Sequence, residues 1–434
     1  MSGDSESPLG LEADLPGTPI TEPHTTWLDE LPNSLLQVIS TIAEMGEGVW
    51  LVGGAVRQGM AGSRTKDYDL TTTLEPQKLL KLFRKSLPTG VEYGTVTVRL
   101  ESGTKGYEVT TLRSDQEYAD GRRPDAVVFG RSLAEDLARR DLTINAMAVD
   151  VSRRMLYDPF DGLADLESRC LRAVGDPIKR LGEDGLRIMR VYRFMDQGEA
   201  GIWLPEEDLA SALIASQDML SRVSVERIWD ELSRILQGFH AHSVLNRMQG
   251  DGILDIILGP GTTVADQKSV CSANPLVVRL ALLLRRADVD SSLRRLKVSN
   301  KVLSSVQELS RRLGHLPDPS NEASLRVYRA ALASTLRIQL DAEVAIDEES
   351  ALPVLAALES LAPNRAGESP LAEGNWIAQV TGLEPGVRLG RLKAWLHRIQ
   401  IEDDLYDLSE VEVKLKEIDW EKGDPLTWPS LSWP

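Results

Sequence analysis

The sequence predicts an α+β chain in which a mixed sheet with helices is followed by helices alone. Short runs that alternate apolar and polar, or that are apolar throughout, recur up to about residue 160 between Gly-rich turns. From about residue 178 the apolar period is close to 3.6 and strand-like alternation disappears. Prolines near 205, 260, 317 and 353 punctuate this helical region.

The elements follow in order. Residues 1–26, MSGDSESPLGLEADLPGTPITEPHTT, are rich in Pro, Gly and acids and are expected to form a disordered arm. They lack the Arg of a transit peptide and the apolar stretch of a secretory signal. Order is expected from Trp27, with an amphipathic helix through SLLQVISTIAEMG. The runs GVWLVG, YDLTTT, GTVTVRL, GYEVTTLR and AMAVDV read as about five strands, with PQKLLKLFRKS as a helix among them. A chain of 434 residues exceeds one compact core. The expected parts are the arm 1–26, an α/β head 27–160, and a helical neck 161–240, body 241–335 and tail 336–434. The final WPSLSWP is expected to be an extended, aromatic-rich segment docked on the last helices.

Composition is that of a soluble globular protein, 42% hydrophobic and 26% charged, with apolar runs too short to span a membrane. Cys170 and Cys271 make no metal-ligand spacing and fit a reducing, cytoplasmic setting. The net charge of −17 argues at first against a nucleic-acid partner. Its distribution is uneven. Residues 1–56 contain no Lys or Arg and nine acids, whereas residues 279–312 carry nine basic side chains against three acids. That basic run, with Arg294, Arg295 and Lys297 at its centre, is either a solvated helix face or a surface that tracks phosphates.

Residues 62–73, GSRTKDYDLTTT, set Asp67 and Asp69 one residue apart at what reads as a strand start. Alternate strand residues share a face, so the two carboxylates would stand about 6 to 7 Å apart and repel. They require positive charge, supplied by a divalent metal or by an Arg or Lys. Upstream, GVWLVGGAVRQGMAG reads as a strand, a Gly53-Gly54 turn and a short helix. Such a turn lets a phosphate approach backbone N–H groups, and Arg57 can reach it. The alternative is a tight turn with a solvated Arg. Together, a phosphate-binding turn and two carboxylates describe metal-assisted nucleotidyl transfer.

LVGGAVRQGMAGSRTKDYDLTTT, DLARRDLTINAMAVD, YDPFDGLADLESRCLRAVGDP and EDGLRIMRVYRF, in that order, resemble the class II tRNA nucleotidyltransferases and bacterial poly(A) polymerases of the DNA polymerase β-like superfamily. The likeness runs from about residue 49 to 240. It implies a polymerase β-like nucleotidyltransferase head, and an all-α neck, body and tRNA-binding tail. The implied activity is Mg²⁺-dependent addition of C, C and A to tRNA 3′ ends from CTP and ATP. A poly(A) polymerase, or an enzyme that adds A only or CC only, remains the alternative. Asp67 and Asp69 resemble the catalytic metal pair, and Gly54 with Arg57 the triphosphate cradle. Arg140 is implied to contact nucleotide and Asp141 the ribose hydroxyls, against a local salt bridge within ARRD. Glu108 is either a third carboxylate or a partner for Arg57 or Arg113. RSDQEYADGRRPD resembles the family's flexible loop, and Gln58 stands where the family usually has Asp. No His precedes Asp, so an HD phosphohydrolase module is not expected.

On one helix, Glu183 and Arg187 would form an i, i+4 salt bridge. Asp184 and Arg187 share a face too, with Arg190 and Arg193 further along as nucleotide-binding candidates. Asp184 could accept from an exocyclic amino group while Arg187 donates to a ring nitrogen. Cytosine and adenine offer that edge, whereas uracil and guanine reverse both bonds. The pair would select C and A without a template, because a wrong base leaves charged groups unpaired.

Overall fold

The computed structural model describes residues 8–101, 103, 105–114, 128–268, 270 and 272–434. Two compact units divide the chain, Met1–His240 and Ala241–Pro434.

In the first unit the helices are α1 (Thr26–Asp29), α2 (Asn33–Ala43), α3 (Gly54–Met60), α4 (Pro76–Leu82), α5 (Leu133–Ala138), α6 (Gly162–Ser168), α7 (Pro177–Glu183), α8 (Leu186–Met195), α9 (Glu207–Ala215) and α10 (Val225–Leu236). The strands are β1 (Thr18–Pro19), β2 (Val49–Val52), β3 (Asp69–Thr72), β4 (Leu87–Gly90), β5 (Thr95–Val98), β6 (Tyr107–Thr111), β7 (Arg113–Ser114), β8 (Val128–Phe129), β9 (Ala148–Asp150), β10 (Met155–Tyr157), β11 (Cys170–Leu171) and β12 (Leu204–Pro205). Eight of them form one mixed sheet in the order β1-β10-β9-β2-β3-β6-β5-β4, larger than the five strands expected. β3 and β6 are its parallel pair. β2, with all four residues buried, reads as the apolar run of an interior strand. β5 alternates half-buried Thr with buried Val, as one covered face requires. Trp50, Val52, Leu112, Leu133, Leu137, Ala148 and Tyr157 make one core cluster of this unit.

The expected disorder of the arm 1–26 is corrected for its described part, residues 8–26. β1 pairs with β10, Ile20 is buried, and Ala13 and Leu15 pack against the Trp50 cluster. The arm lacks a periodic apolar face because it buries single side chains and lends a two-residue strand to a sheet edge. The flexible-loop expectation lies, from residue 115 to its end at 125, outside the described residues, as does Cys271.

The second unit is helical among its described residues: α11 (Ala241–Gly250), α12 (Ile253–Leu258), α13 (Pro275–Leu283), α14 (Val289–Arg295), α15 (Asn300–Arg312), α16 (Glu322–Leu332), α17 (Leu336–Ile346), α18 (Glu348–Ser360), α19 (Gly374–Thr381), α20 (Val387–Glu402) and α21 (Leu408–Glu417). One cluster joins Leu325, Tyr328, Leu332, Leu340, Val354 and Leu358; another joins Ile377, Leu392, Leu396, Val411, Leu415 and Trp428. The C-terminal segment docks: Trp433 sets its ring edge-on to Tyr328, with centroids 5.2 Å apart, and Arg398 holds the Ser430 carbonyl. No helix among the described residues is long and apolar enough to cross a membrane.

Candidate active site

Val52, Asp69 and Glu108 stand in register on three adjacent strands, so their side chains share a face. With Leu70, Thr71, Thr110, Asp136, Arg139 and Arg140 they line a cleft of about 250 Å³. A larger cleft of about 460 Å³ has Glu30 as the carboxylate among its lining residues, already paired with Arg64. The smaller cleft gathers Asp69, Glu108 and Arg140 of the sequence-predicted site residues.

Asp69 opens β3, but Asp67 precedes the strand, and this corrects the expectation that both lie on one strand face. Residues 65–68 turn instead: Thr65 Oγ1 accepts the Asp67 N–H at 3.1 Å, and the Tyr68 hydroxyl donates to the Thr65 carbonyl. Lys105 Nζ sits 2.8 Å from Asp67 Oδ1, so the lysine form of the required counter-charge is present there. Asp69 is open to the cleft yet largely surrounded by protein. Burial pushes its carboxyl up, Glu108 and Asp67 push the same way, and Arg140 opposes them. Its anion is thus short of positive charge. Gly53 needs its glycine because φ is +65°, and the position borders both groups, since a Cβ there would lie in ordinary contact with Asp69 Oδ2 (3.6 Å) and Arg140 Nη1 (3.7 Å). The Gly53-Gly54 turn, Asp69 and Arg140 therefore converge.

α5 supplies the next layer. Asp136 is buried and takes both Arg139 and Arg140, the latter at 3.2 Å. Arg140 also donates to the Asn145 carbonyl at 3.1 Å, while its buried Nε has no partner among the described residues. Asp141, expected at the ribose, accepts from Arg190 Nε at 2.7 Å, Asn145 Nδ2 at 3.2 Å and the Leu142 N–H at 2.9 Å. Burial would raise its pKa, but Arg190 and these hydrogen bonds bring it down to about 2. A carboxylate has about four acceptor positions, and three of these are taken.

EDGLRIMRVYRF is not one helix, and this corrects the single-helix expectation. α7 ends at Glu183, Asp184 is extended (φ −152°, ψ 109°), and α8 begins at Leu186. Next to the break the backbones approach closely, since a Cβ on Gly185 would meet the Met219 carbonyl oxygen at 2.4 Å, so only glycine fits there. Asp184 and Arg187 still adjoin, since the Arg187 N–H donates to the Asp184 carbonyl at 3.0 Å. Their side chains are held separately. Arg227 grips Asp184 with two bonds, 3.2 and 2.6 Å, and the Leu186 N–H adds a third at 3.0 Å. Arg187 pairs with Glu183 and donates to the Arg180 and Arg139 carbonyls, each at 2.8 Å.

Arg187, Arg190 and Arg193 recur every three residues on α8, opposite the buried Ile188, Met189, Val191 and Tyr192. Glu231 of α10 pairs with Arg193 and lies 3.8 Å from Arg190. Arg57, Arg190 and Arg193 all lie over the Phe194 ring, 4.9, 5.4 and 4.1 Å from its centroid. Burial lowers Arg57 to about 10, with Arg193 and Arg190 repelling it and Asp141 opposing them. It stays charged at neutral pH, in a cluster that an incoming anion would stabilise.

Sequence reasoning missed Asp136, Asn145, Phe194, Arg227, Glu231 and Lys105. Asp136 with Arg140, which lies just past the end of α5, and Arg227 with Glu231, both on α10, are spaced i, i+4, which is a usable signal. Asn145 and Lys105 have none. In the second unit Arg294 is tied to Asp290 at 2.7 Å and Arg295 lies against Gly259. Lys297 has a left-handed φ of 50°.

Asp69 is short of positive charge with Glu108 beside it, and its hard oxygen donors fit a divalent cation such as Mg²⁺, whereas Asp67 is already paired with Lys105. No group of three or more His, Cys, Asp or Glu side chains among the described residues forms a metal cage. Mg²⁺ is commonly held by one or two carboxylates, with water and substrate phosphates completing its shell.

Residues 49–172 match the poly A polymerase head domain family, and residues 205–265 match the family described as "Probable RNA and SrmB- binding site of polymerase A". A CCA-adding enzyme of Leuconostoc mesenteroides is 32% identical over 403 residues, 90% of this chain and 98% of the relative. The chain belongs to the CCA-adding enzyme family. A second CCA-adding relative, from Enterococcus faecalis, is 32% identical over 92% of this chain and 99% of its own length. Among solved structures, the Bacillus stearothermophilus CCA-adding enzyme in complex with CTP superposes with a TM-score of 0.72 at 24% identity, covering 92% of this chain and 99% of that one. The Thermotoga maritima CCA-adding enzyme complexed with tRNA gives 0.65 at 17% identity, covering 91% and 98%. At these identities the two structures show the fold, and it is that of CCA-adding enzymes.

Proposed function

We propose that this chain adds C, C and A to the 3′ acceptor end of immature tRNA in the cytoplasm, from CTP and ATP, with Mg²⁺ held by Asp67 and Asp69. The observation that carries the reading is the Asp184–Arg187 pair at the start of α8, each member pinned by its own partner. Arg227 and the Leu186 N–H fix the carboxylate, and Glu183 fixes the guanidinium. A pinned acceptor and a pinned donor on neighbouring positions would match the amino group and ring nitrogen of cytosine or adenine, and would mismatch uracil and guanine. Pre-organisation of this kind lets selection proceed without a template strand.

The remaining roles follow from charge. The under-compensated arginines around Phe194, Arg57 foremost, suit the triphosphate, and Gly53-Gly54 permits its approach to the backbone. Arg140 has a spare N–H to offer, and Asp141 a spare acceptor position for a ribose hydroxyl. Bound Mg²⁺ would activate the tRNA 3′-hydroxyl and offset charge building on the transferred phosphoryl group. Glu108, beside Asp69, raises the local negative potential that draws the cation in.

The test uses tRNA transcripts ending before CCA, at C and at CC, with CTP and ATP supplied singly and together. Two C from CTP alone on the shortest transcript, one A from ATP on the CC transcript, and then a stop is the expected result. Runs of A, A only or CC only would each assign the chain to a different activity within the same chemistry.

A further inference from the structure

The docked arm touches the element that carries the Arg140 side of the cleft. Asp14 Oδ1 accepts the N–H groups of Leu133 at 2.9 Å and Ala134 at 3.2 Å, the first two residues of α5. Ser132 Oγ takes the third, from Glu135, at 3.0 Å. Hydrogen bonds from the Ser132 side chain and the two N–H groups outweigh burial and hold the Asp14 carboxyl below the usual range. Ala13 and Leu15 pack in the cluster that contains Leu133 and Leu137. On either side the arm is anchored to the sheet. Arg153, itself 2.7 Å from Asp150 of β9, donates to the Gly10 carbonyl at 2.6 Å, and β1 pairs with β10.

α5 has six residues, too few to hold a helix by its own hydrogen bonds. Its position is therefore set by what caps and covers it, and the arm does both. The same helix carries buried Asp136, which orients Arg139 and Arg140 towards the cleft with Asp69. An acceptor at the helix start thus fixes, one turn on, the carboxylate that aims the guanidinium.

We propose that residues 10–20 act as a strap for the nucleotide site and that Asp14 is a positioning residue, acting through α5 and Asp136 on Arg140. The proposal rests on reading the cleft as the site of CTP and ATP.

Full-length wild type, Asp14→Ala and Asp14→Asn are compared in CTP and ATP addition to tRNA transcripts, in CTP binding without tRNA, and in amide hydrogen exchange of residues 133–138. Loss of a capping acceptor should raise KM for both nucleotides about three- to thirtyfold, with kcat changed far less. Exchange of the α5 amides should accelerate in step. Asp14→Asn, whose amide oxygen still accepts both N–H groups, should stay within about twofold of wild type. Wild-type KM in Asp14→Ala, whatever its melting temperature, overturns the proposal. Failure of Asp14→Asn to restore KM overturns it as well, as does an Asp14→Ala chain that does not fold, since the contact would then hold the whole unit. Wild type that adds no nucleotide would instead overturn the functional reading, and binding and exchange would still report on the strap.

Discussion

Asp184→Ala separates base reading from helix support. The side chain makes two kinds of contact within the protein, a half-exposed ion pair with Arg227 and a cap on the Leu186 N–H. Such a pair contributes about 0–1 kcal/mol and a cap about 0.5–2 kcal/mol. Their joint loss, about 0.5–3 kcal/mol, should lower the melting temperature of a unit this size by about 1–12 °C. The substrate contact is a charge-assisted bond to the base amino group, worth about 1.5–3 kcal/mol. Its loss should cut kcat/KM for CTP by about tenfold to a hundredfold, while UTP, whose O4 no longer meets a carboxylate, is spared or gains. Arg227→Ala is the control. It removes the ion pair but leaves the carboxylate and its cap, so it should melt earlier yet keep most of the CTP/UTP preference. The assay is kcat/KM for all four nucleotides on tRNA ending before CCA, with thermal melting of each variant. If Asp184→Ala retains wild-type selectivity while only melting earlier, Asp184 supports the helix break and reads nothing. Equal loss of preference in both variants would place discrimination in the shape of the break.

Asp67→Ala and Asp69→Ala should each abolish transfer, by several kcal/mol of lost metal-assisted stabilisation, while tRNA binding by filter retention stays near wild type; turnover within tenfold in both would refute the assignment. Glu108→Gln removes a like charge that raises the Asp69 pKa, so ionised Asp69 forms at lower pH and the acid limb of Mn²⁺ binding, followed by electron paramagnetic resonance, should shift to lower pH. Because a raised carboxyl pKa in the fold costs stability as pH rises through it, the same variant should also melt higher at neutral pH; a shift of the acid limb to higher pH would refute the coupling. Charge reversal at Arg294, Arg295 and Lys297 should weaken tRNA binding and flatten its salt dependence by roughly one unit of slope per lost phosphate contact, leaving KM for CTP unchanged. Unaltered tRNA affinity across several salt concentrations would return this stretch to a solvated face.

What the chain determined by itself was whatever depends on neighbours in sequence. The switch from alternation to a 3.6 period separates sheet from helices, and Gly53-Gly54, Asp67 and Asp69 stand out as short local patterns, while Arg140 and Asp141 stand out by family resemblance. Even the Glu183–Arg187 ion pair follows from spacing and survives the helix break. The tertiary structure decided everything that needs a partner far along the chain. Asp14 reads as part of an acidic, Pro-rich tract until Leu133 and Ala134, some 120 residues away, present their N–H groups. The Met219 backbone lies so close to Gly185, beside the break at Asp184, that only glycine fits, and no pattern within EDGLRIMRVYRF encodes that contact. Arg227 and Glu231 look like an ordinary helical pair until packing turns one towards Asp184 and the other towards Arg193. Local propensity acts over one or two turns, whereas burial and charge pairing act through space, so the motif residues are visible in sequence and the side chains that aim them are not.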